Sequence, residues 1–584
     1  MLLFAQFFAA DLYAQDSSAF TPPVSFGGSL TVTADLYSYS ATPDSAQKGR
    51  RPPSVYRVLF SPTLSFGKDI SFPLNLNFTT PETNTLTPSV RAPTLAQFFE
   101  NPANAFGFSS FTPRIAWAQF SLGSTIPNYS ALSAGNQQIF GGGFDLKPGS
   151  FEFAASVGTS QRAIEPDTAN HIAGAYRRDM YMTRLAFGKE ESGVIGLNLV
   201  YAKDALGSVN NTISSITPAH VSPTDSTVIV PADTVRLNAQ EGVVASIDAK
   251  MHLSDAVSIK AEGAISSFTN DESSPEKQVS GDPFTILQQP RTSTRIDFAG
   301  TGEIAYKQKA WGMRFTGLYM GAGFVPVGYI FTQADKLEFT WSPYLRLFDN
   351  RYSFDGSIGE RINNLSGTVG ETTTQLIGSA NLNAEITDAF SLSAQYSNFG
   401  IRNDQTLDSL KVETVSQSLS ITPSLTLQQE SMTHTITASF DIDVFKDYNV
   451  ISGASGSNDT RTLMGSYTVA LNSIPLSVGL LGSYMENRLS TGTLIIRSVG
   501  ATLGYAFFDR KLMPSVSVTG SGSTLGSAPT DDQVFFKFSL RWQAMKKLDL
   551  TASVTNNNYT YGDPLPQGSA FRETLFQFAA STRF

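Results

Sequence analysis

The sequence predicts an all-β protein, a transmembrane antiparallel β-barrel of about 24 strands within a range of roughly 22 to 26. Three observations carry this. Apolar and polar residues alternate with a period of two, and the alternation runs to the last residue. The connections between alternating segments are by turns short and long. Finally, the 584 residues are 41% hydrophobic and only 16% charged, with no linker or compositional break to divide them. One barrel accommodates such a length because it grows by adding hairpins rather than by thickening a core. Tandem β-sandwiches are the competing architecture, but they have no reason to keep a short–long beat.

The carboxyl-terminal stretch shows the period most clearly. Phe536, Phe538, Leu540 and Trp542 share one parity and Lys537, Ser539 and Arg541 the other. Leu548, Leu550, Ala552 and Val554 alternate with Asp549, Thr551, Ser553 and Thr555. Phe576, Phe578, Ala580, Thr582 and Phe584 close the chain. Successive side chains of a strand point to opposite faces, so each strand here has one oily and one wet face. A closed barrel with lipid outside and water inside satisfies every backbone group.

At the other end, Met1 to Ala10 is an apolar run far shorter than the roughly 20 residues of a membrane helix, and Leu12-Tyr13-Ala14 suits a cleavage site. Residues 1–14 are therefore read as a signal peptide that lacks a basic start. Residues 15–113 form an amino-terminal section with candidate strands at Ser29–Ser40, Val55–Phe66 and Phe72–Phe78. A long segment follows at 81–113, within which 92–102 has the prolines of a short helix. Residues 114–584 are the steady barrel, with about 22 segments counted back from Phe584. Short connections include 147–150, 254–255, 349–351 and 509–511; long ones include 165–177, 207–237, 271–291 and 562–570.

With the oily parity facing lipid, the other parity lines a lumen. Lumen-lining candidates are Asp248, Lys250, Lys260, Glu262, Arg295, Asp297, Glu303, Glu338, Arg346, Asp441, Asp443, Lys537 and Arg541. Ser246 and His252 share that face, and Ser416 to Thr426 make a hydroxyl ladder in which Pro423 suggests a bulge. The wall is mixed in sign, without the Arg or Lys ladder of an anion-selective pore. A wide barrel needs filling, so 81–113 is the plug or gate candidate, with Arg91, Phe98, Phe99, Glu100 and Asn101, or else the loop 207–237 folds inward.

The run FFENPANAFGFSSFTPRIAWAQFSLGS, followed by FGGGFDLKPGSFEFAASVG, resembles the amino-terminal section of large outer-membrane β-barrel proteins of the Bacteroidota–Chlorobiota group. The resemblance spans roughly Ser54 to Ala205. It implies an outer-membrane location and supplies no activity.

The absence of cysteine excludes thiolate metal sites and disulfide frameworks. The net charge of -9 leaves no footprint for nucleic acid. His171, His220, His252 and His434 lack metal-ligand spacing, and a Ser-His-Asp set built from His171, His220, Asp167 and Asp225 is coincidence in Ser-rich loops. No catalytic residue, metal or cofactor is expected. Too little chain lies between Gln15 and Arg114 for the folded plug of a TonB-dependent transporter. The reading is therefore an outer-membrane channel or transporter of a Gram-negative bacterium, passing a hydrophilic or amphipathic solute through a lumen gated by inward segments. The alternative is a non-transporting barrel that anchors a surface or secretion assembly. Expected partners are outer-membrane lipid, the barrel-insertion machinery through the strand ending at Phe584, and a periplasmic or surface protein.

Overall fold

The computed structural model describes residues 24–43, 51–67, 69–79, 109–135, 137–168, 172–189, 191–217, 220–221, 229–230, 233–277, 284–327, 333–563 and 569–584. They form one antiparallel sheet that closes on itself. The first staves are β1 (Val24–Thr42), β2 (Ser54–Phe66), β3 (Ile70–Thr79) and a broken β4 (Ser109–Phe111 with Arg114–Ile115). Next come β5 (Ala118–Thr125), β6 (Ile139–Leu146), β7 (Phe151–Gln161), β8 (Arg177–Lys189), β9 (Gly193–Ala205), β10 (Glu241–His252) and β11 (Val257–Thr269). They continue as β12 (Thr294–Lys307), β13 (Trp311–Met320), β14 (Lys336–Leu347), β15 (Tyr352–Asn363), β16 (Thr373–Glu385), β17 (Phe390–Asn403) and β18 (Glu413–Gln428). The circle is completed by β19 (Met432–Asp447), β20 (Asn458–Leu471), β21 (Leu476–Leu489), β22 (Gly492–Tyr505), β23 (Leu512–Leu525), β24 (Asp531–Met545), β25 (Leu548–Thr560) and β26 (Ala570–Arg583).

The barrel therefore has 26 staves, above the central expectation of about 24 and inside its range. The difference lies at the amino terminus. The strands expected there are staves of the same wall, and the two pieces of β4 share one place between β3 and β5. The wall thus begins at Val24 rather than at Arg114, and the broken stave restores an even count. The signal peptide 1–14 and most of 81–113, including 92–102, lie outside the described residues; Ser109–Phe111 belongs to the wall.

Closure is made by β1 against β26, in register from Ser29 opposite Arg583 to Thr42 opposite Ala570. Gly28 and Phe584 exchange two backbone hydrogen bonds of 3.1 Å, and the Phe584 ring stacks on Phe26 at 5.2 Å. Gly28 is required at this joint. Its φ is +150°, and a Cβ there would stand 2.3 Å from the Ser61 carbonyl oxygen.

One end of the barrel carries only tight connections. In two of them, Phe348-Asp349-Asn350 and Phe508-Asp509-Arg510, three successive residues take left-handed φ of 51–73° and 52–66°. Asp and Asn tolerate that region; the two phenylalanines are held there by the turn. The other end carries the longer loops, apart from the two-residue link between β21 and β22. The outward parity is apolar and open, with Phe187 and Val499 each 71% exposed and Ile247 60%. A continuous belt of such residues is stable against acyl chains, not against water. Pro423 causes no bulge: β18 keeps one register with β19 on both sides of it, Ile421 opposite Phe440 and Ser424 opposite Thr437. On an otherwise regular stave, the missing amide costs a ladder bond and leaves the spacing intact.

Candidate functional site

The inner face should be wet everywhere, yet on one arc it is not. Met180 and Met182 of β8, Val200 and Ala202 of β9, Val244 of β10, Ala264 of β11, Ala299 of β12 and Met320 of β13 all lie on the inward parity and are buried. Two inward-folded connections cover them. Residues 126–138, which join β5 to β6, bring Tyr129, Leu132 and Ala134. Residues 321–327, which follow β13, bring Phe324 and Val327. Together they form a dry core inside the barrel, with Phe324 fully buried. At about 25 cal/mol per Å² of apolar area, burial of this kind fixes a loop that would otherwise be solvated.

Polar contacts set the register of each segment. Tyr129 Oη donates to the Met182 carbonyl at 3.0 Å, and Ser130 Oγ lies 2.7 Å from Ser246 Oγ. The Leu132 amide donates to Glu262 Oε1 at 3.0 Å. A segment leaving β5 therefore reaches β11 across the faces of the staves between. Burial pushes the Tyr129 phenol up to about 12, so it remains a donor at ordinary pH. In the second segment the Gly323 amide donates to Asp297 Oδ2 at 2.8 Å and the Val325 amide to Ser266 Oγ at 3.1 Å. Both segments thus rest on β11, one through Glu262 and the other through Ser266.

The register places all thirteen lumen candidates on the inward parity. Asp248 accepts from Arg184 at 2.6 and 3.1 Å and from Asn198 at 2.7 Å. Arg184 also lies 3.7 Å from Glu152, and it stands over Gly196, whose Cβ would fall 2.6 Å from the guanidinium. Lys260 pairs with Glu303 at 2.9 Å. Glu338 takes Lys336 at 2.7 Å and Arg361 at 2.8 Å. Arg346 pairs with Asp355 at 2.7 Å, and Arg541 lies 4.0 Å from Asp549. Lys250 lies directly opposite Lys260, and Arg295 opposite Phe268. Asp441 accepts from Ser439 at 2.7 Å; Asp443 sits between Ser418 and Thr460, and Lys537 between Ser517 and Thr555. Asp248, Lys250, Lys260, Glu262 and Glu303 gather around one cavity beside Arg184, and the other candidates are spread along the wall. From β17 to β23 the inward charges among the described residues are Asp441, Asp443 and Asp447, set in a field of Ser and Thr.

Arg91, Phe98, Phe99, Glu100 and Asn101 lie outside the described residues. The described parts of 207–237 form small ribbons, 213–217 with 233–236 and 220–221 with 229–230. The segments packed on the inner wall, 126–138 and 321–327, escape the sequence reading. A signal exists. In Leu197-Asn198-Leu199-Val200-Tyr201-Ala202 and in Val243-Val244 the alternation fails because both faces are apolar, which marks strands covered on both sides. His434 Nδ1 lies 2.8 Å from Tyr467 Oη on the outward face, and His171 lies outside the described residues. Among the described residues no group of three His, Asp or Glu is placed to hold a metal ion.

No family model and no curated protein matches the chain. Among solved structures it is similar to Acinetobacter baumannii OccAB3, at 10% identity and a TM-score of 0.31 over 59% of this chain and 93% of that one. It is similar to Pseudomonas aeruginosa OpdK with vanillate at 10% identity and a TM-score of 0.30, over 60% and 94%. It is also similar to the siderophore receptor PirA from Pseudomonas aeruginosa, at 9% identity and a TM-score of 0.38, over 96% of this chain and 80% of that one.

Proposed function

We propose that the chain is a channel for hydrophilic solutes across the outer membrane of a Gram-negative bacterium, its lumen narrowed by 126–138 and 321–327. The tight turns then face the periplasm and the longer loops the cell exterior. The observation that carries this reading is the seat of Ser130 and Leu132 on Ser246 and Glu262. A barrel that served only as an anchor has no use for a polar wall with a built constriction. A ring of 26 staves left empty would leak every small solute, and a seated segment turns that hole into a selective passage.

The test is conductance of the purified protein in planar bilayers. Wild type should insert with a defined unit conductance, and replacing 128–137 by a short Gly-Ser link should raise it several-fold, as expected when a constriction is widened. A silent wild-type barrel would defeat the channel and favour the anchoring role.

A further inference from the structure

The two sides of segment 126–138 differ in chemistry. On one side a cavity of about 370 Å³ is lined by charges, among them Arg184, Asp248, Lys250, Lys260, Glu262 and Glu303. On the other, between the segment and the β2–β7 wall, lies a cavity of about 740 Å³. Its lining holds no Lys, Arg or His, and Asp145 is its single charge. Asn75, Gln119, Ser121, Ser124, Gln138 and Ser156 supply amides and hydroxyls, which both donate and accept. The cavity runs from Gln119 and Asp145, near the tight-turn end of β5 and β6, to Ser124 and Gln138 at the loop end.

We infer that this larger cavity is a binding site for a neutral polyhydroxylated solute, a sugar or polyol, which names the cargo class of the channel proposed above and rests on that reading. Two oxygens of its lining residues, Asp145 Oδ1 and Thr125 Oγ1, are closed off from solvent and have no hydrogen-bond partner among the described residues. The other carboxylate oxygen of Asp145 is held by Lys147 at 2.7 Å. What the cavity presents is the amides and hydroxyls of its wall, and a solute that both donates and accepts replaces the water they would otherwise bind. An anion would meet a carboxylate with no cation in the lining. A cation would find that carboxylate already paired with Lys147. An apolar solute would leave the amides and hydroxyls of the lining unsatisfied. Only a neutral solute rich in O–H groups matches the whole surface, with Leu59 and the Tyr129 ring available to its C–H faces. The volume lies within the range of small-molecule pockets.

The experiment is titration calorimetry on the detergent-solubilised full chain with trehalose, gluconate and glucosamine, run beside the bilayer recording. Trehalose should bind and the two charged sugars should bind much more weakly. Asp145→Ala and Gln119→Leu should each weaken trehalose by about tenfold, while Thr437→Val, on the far wall, should leave it unchanged. Gln119 is solvent-exposed, so its replacement spares the fold. Conductance without trehalose binding, or gluconate binding as well as trehalose, would overturn the site and leave the channel standing. Binding without conductance would do the reverse.

Discussion

The Asp297 carboxylate and the Gly323 amide are joined by a 2.8 Å hydrogen bond that ties an inward segment to the wall of the barrel. The same carboxylate fills the space beside Gly321, where a Cβ would stand 2.3 Å from Asp297 Oδ1. Gly321→Ala therefore cannot be accommodated without moving that carboxylate. Both Gly321→Ala and Asp297→Ala should release 321–327, the latter at about 1–3 kcal/mol for the orphaned amide. Faster hydrogen exchange at Gly323 and Val325, with an unchanged barrel melting temperature, is the expected result.

Leu132→Ala should loosen the other segment. The leucine is buried in the lumenal core, and truncation in such a place costs about 2–5 kcal/mol. That loss falls on the seat of one loop and not on the strand ladder. Bilayer recordings should accordingly show flickering between conductance levels, while resistance of the barrel to denaturant stays at the wild-type value.

Arg184 neutralises Asp248 and approaches Glu152 only because Gly196 leaves room for its guanidinium. Gly196→Ala should push the arginine aside and leave Asp248 short of its partner, while Glu152 keeps Lys147 at 3.4 Å. The reversal potential in a salt gradient should shift toward cation selectivity, and Arg184→Ala should reproduce the shift. High salt should shrink both effects, since lumen charges are screened.

A pH response is built into the long-loop end. Glu165 accepts from the Asn210 and Asn211 amides at 2.8 and 3.2 Å, and these hydrogen bonds hold its carboxyl below the usual carboxylate range. A depressed folded pKa means that the contribution is complete above the ordinary value of 4.5 and is lost as pH falls through the lowered one. The contact between 162–176 and 206–212 should thus open in acid. Spin labels on the two loops should separate below that range in wild type, and Glu165→Gln should abolish the dependence.

The wall was legible because lipid and water make opposite demands on neighbouring residues. From Phe536 to Trp542, from Leu548 to Val554 and from Phe576 to Phe584 every second side chain states its side, and the hydroxyls from Ser416 to Thr426 do the same for the lumen. The contents were not legible. Tyr129 and Leu132 sit in a polar stretch without period, and nothing local says that it lies against β8 and β11. Arg184 and Asp248 are on different staves with β9 between them, so their pairing belongs to the register and not to any motif. Of the four amino-terminal staves only the last was obscured: β4 is two fragments too short to show alternation.

A hoop of this circumference, held together edge to edge by backbone bonds, offers little resistance to being squeezed within the plane of the membrane. Among the described residues its packed interior braces the staves from β5 to β13. The facing arc from β17 to β23 carries mostly short hydroxyl side chains on its inner surface, and among the described residues no buried apolar cluster lies against it. Lateral pressure from the bilayer therefore meets its stiffest resistance on the arc that holds the two segments.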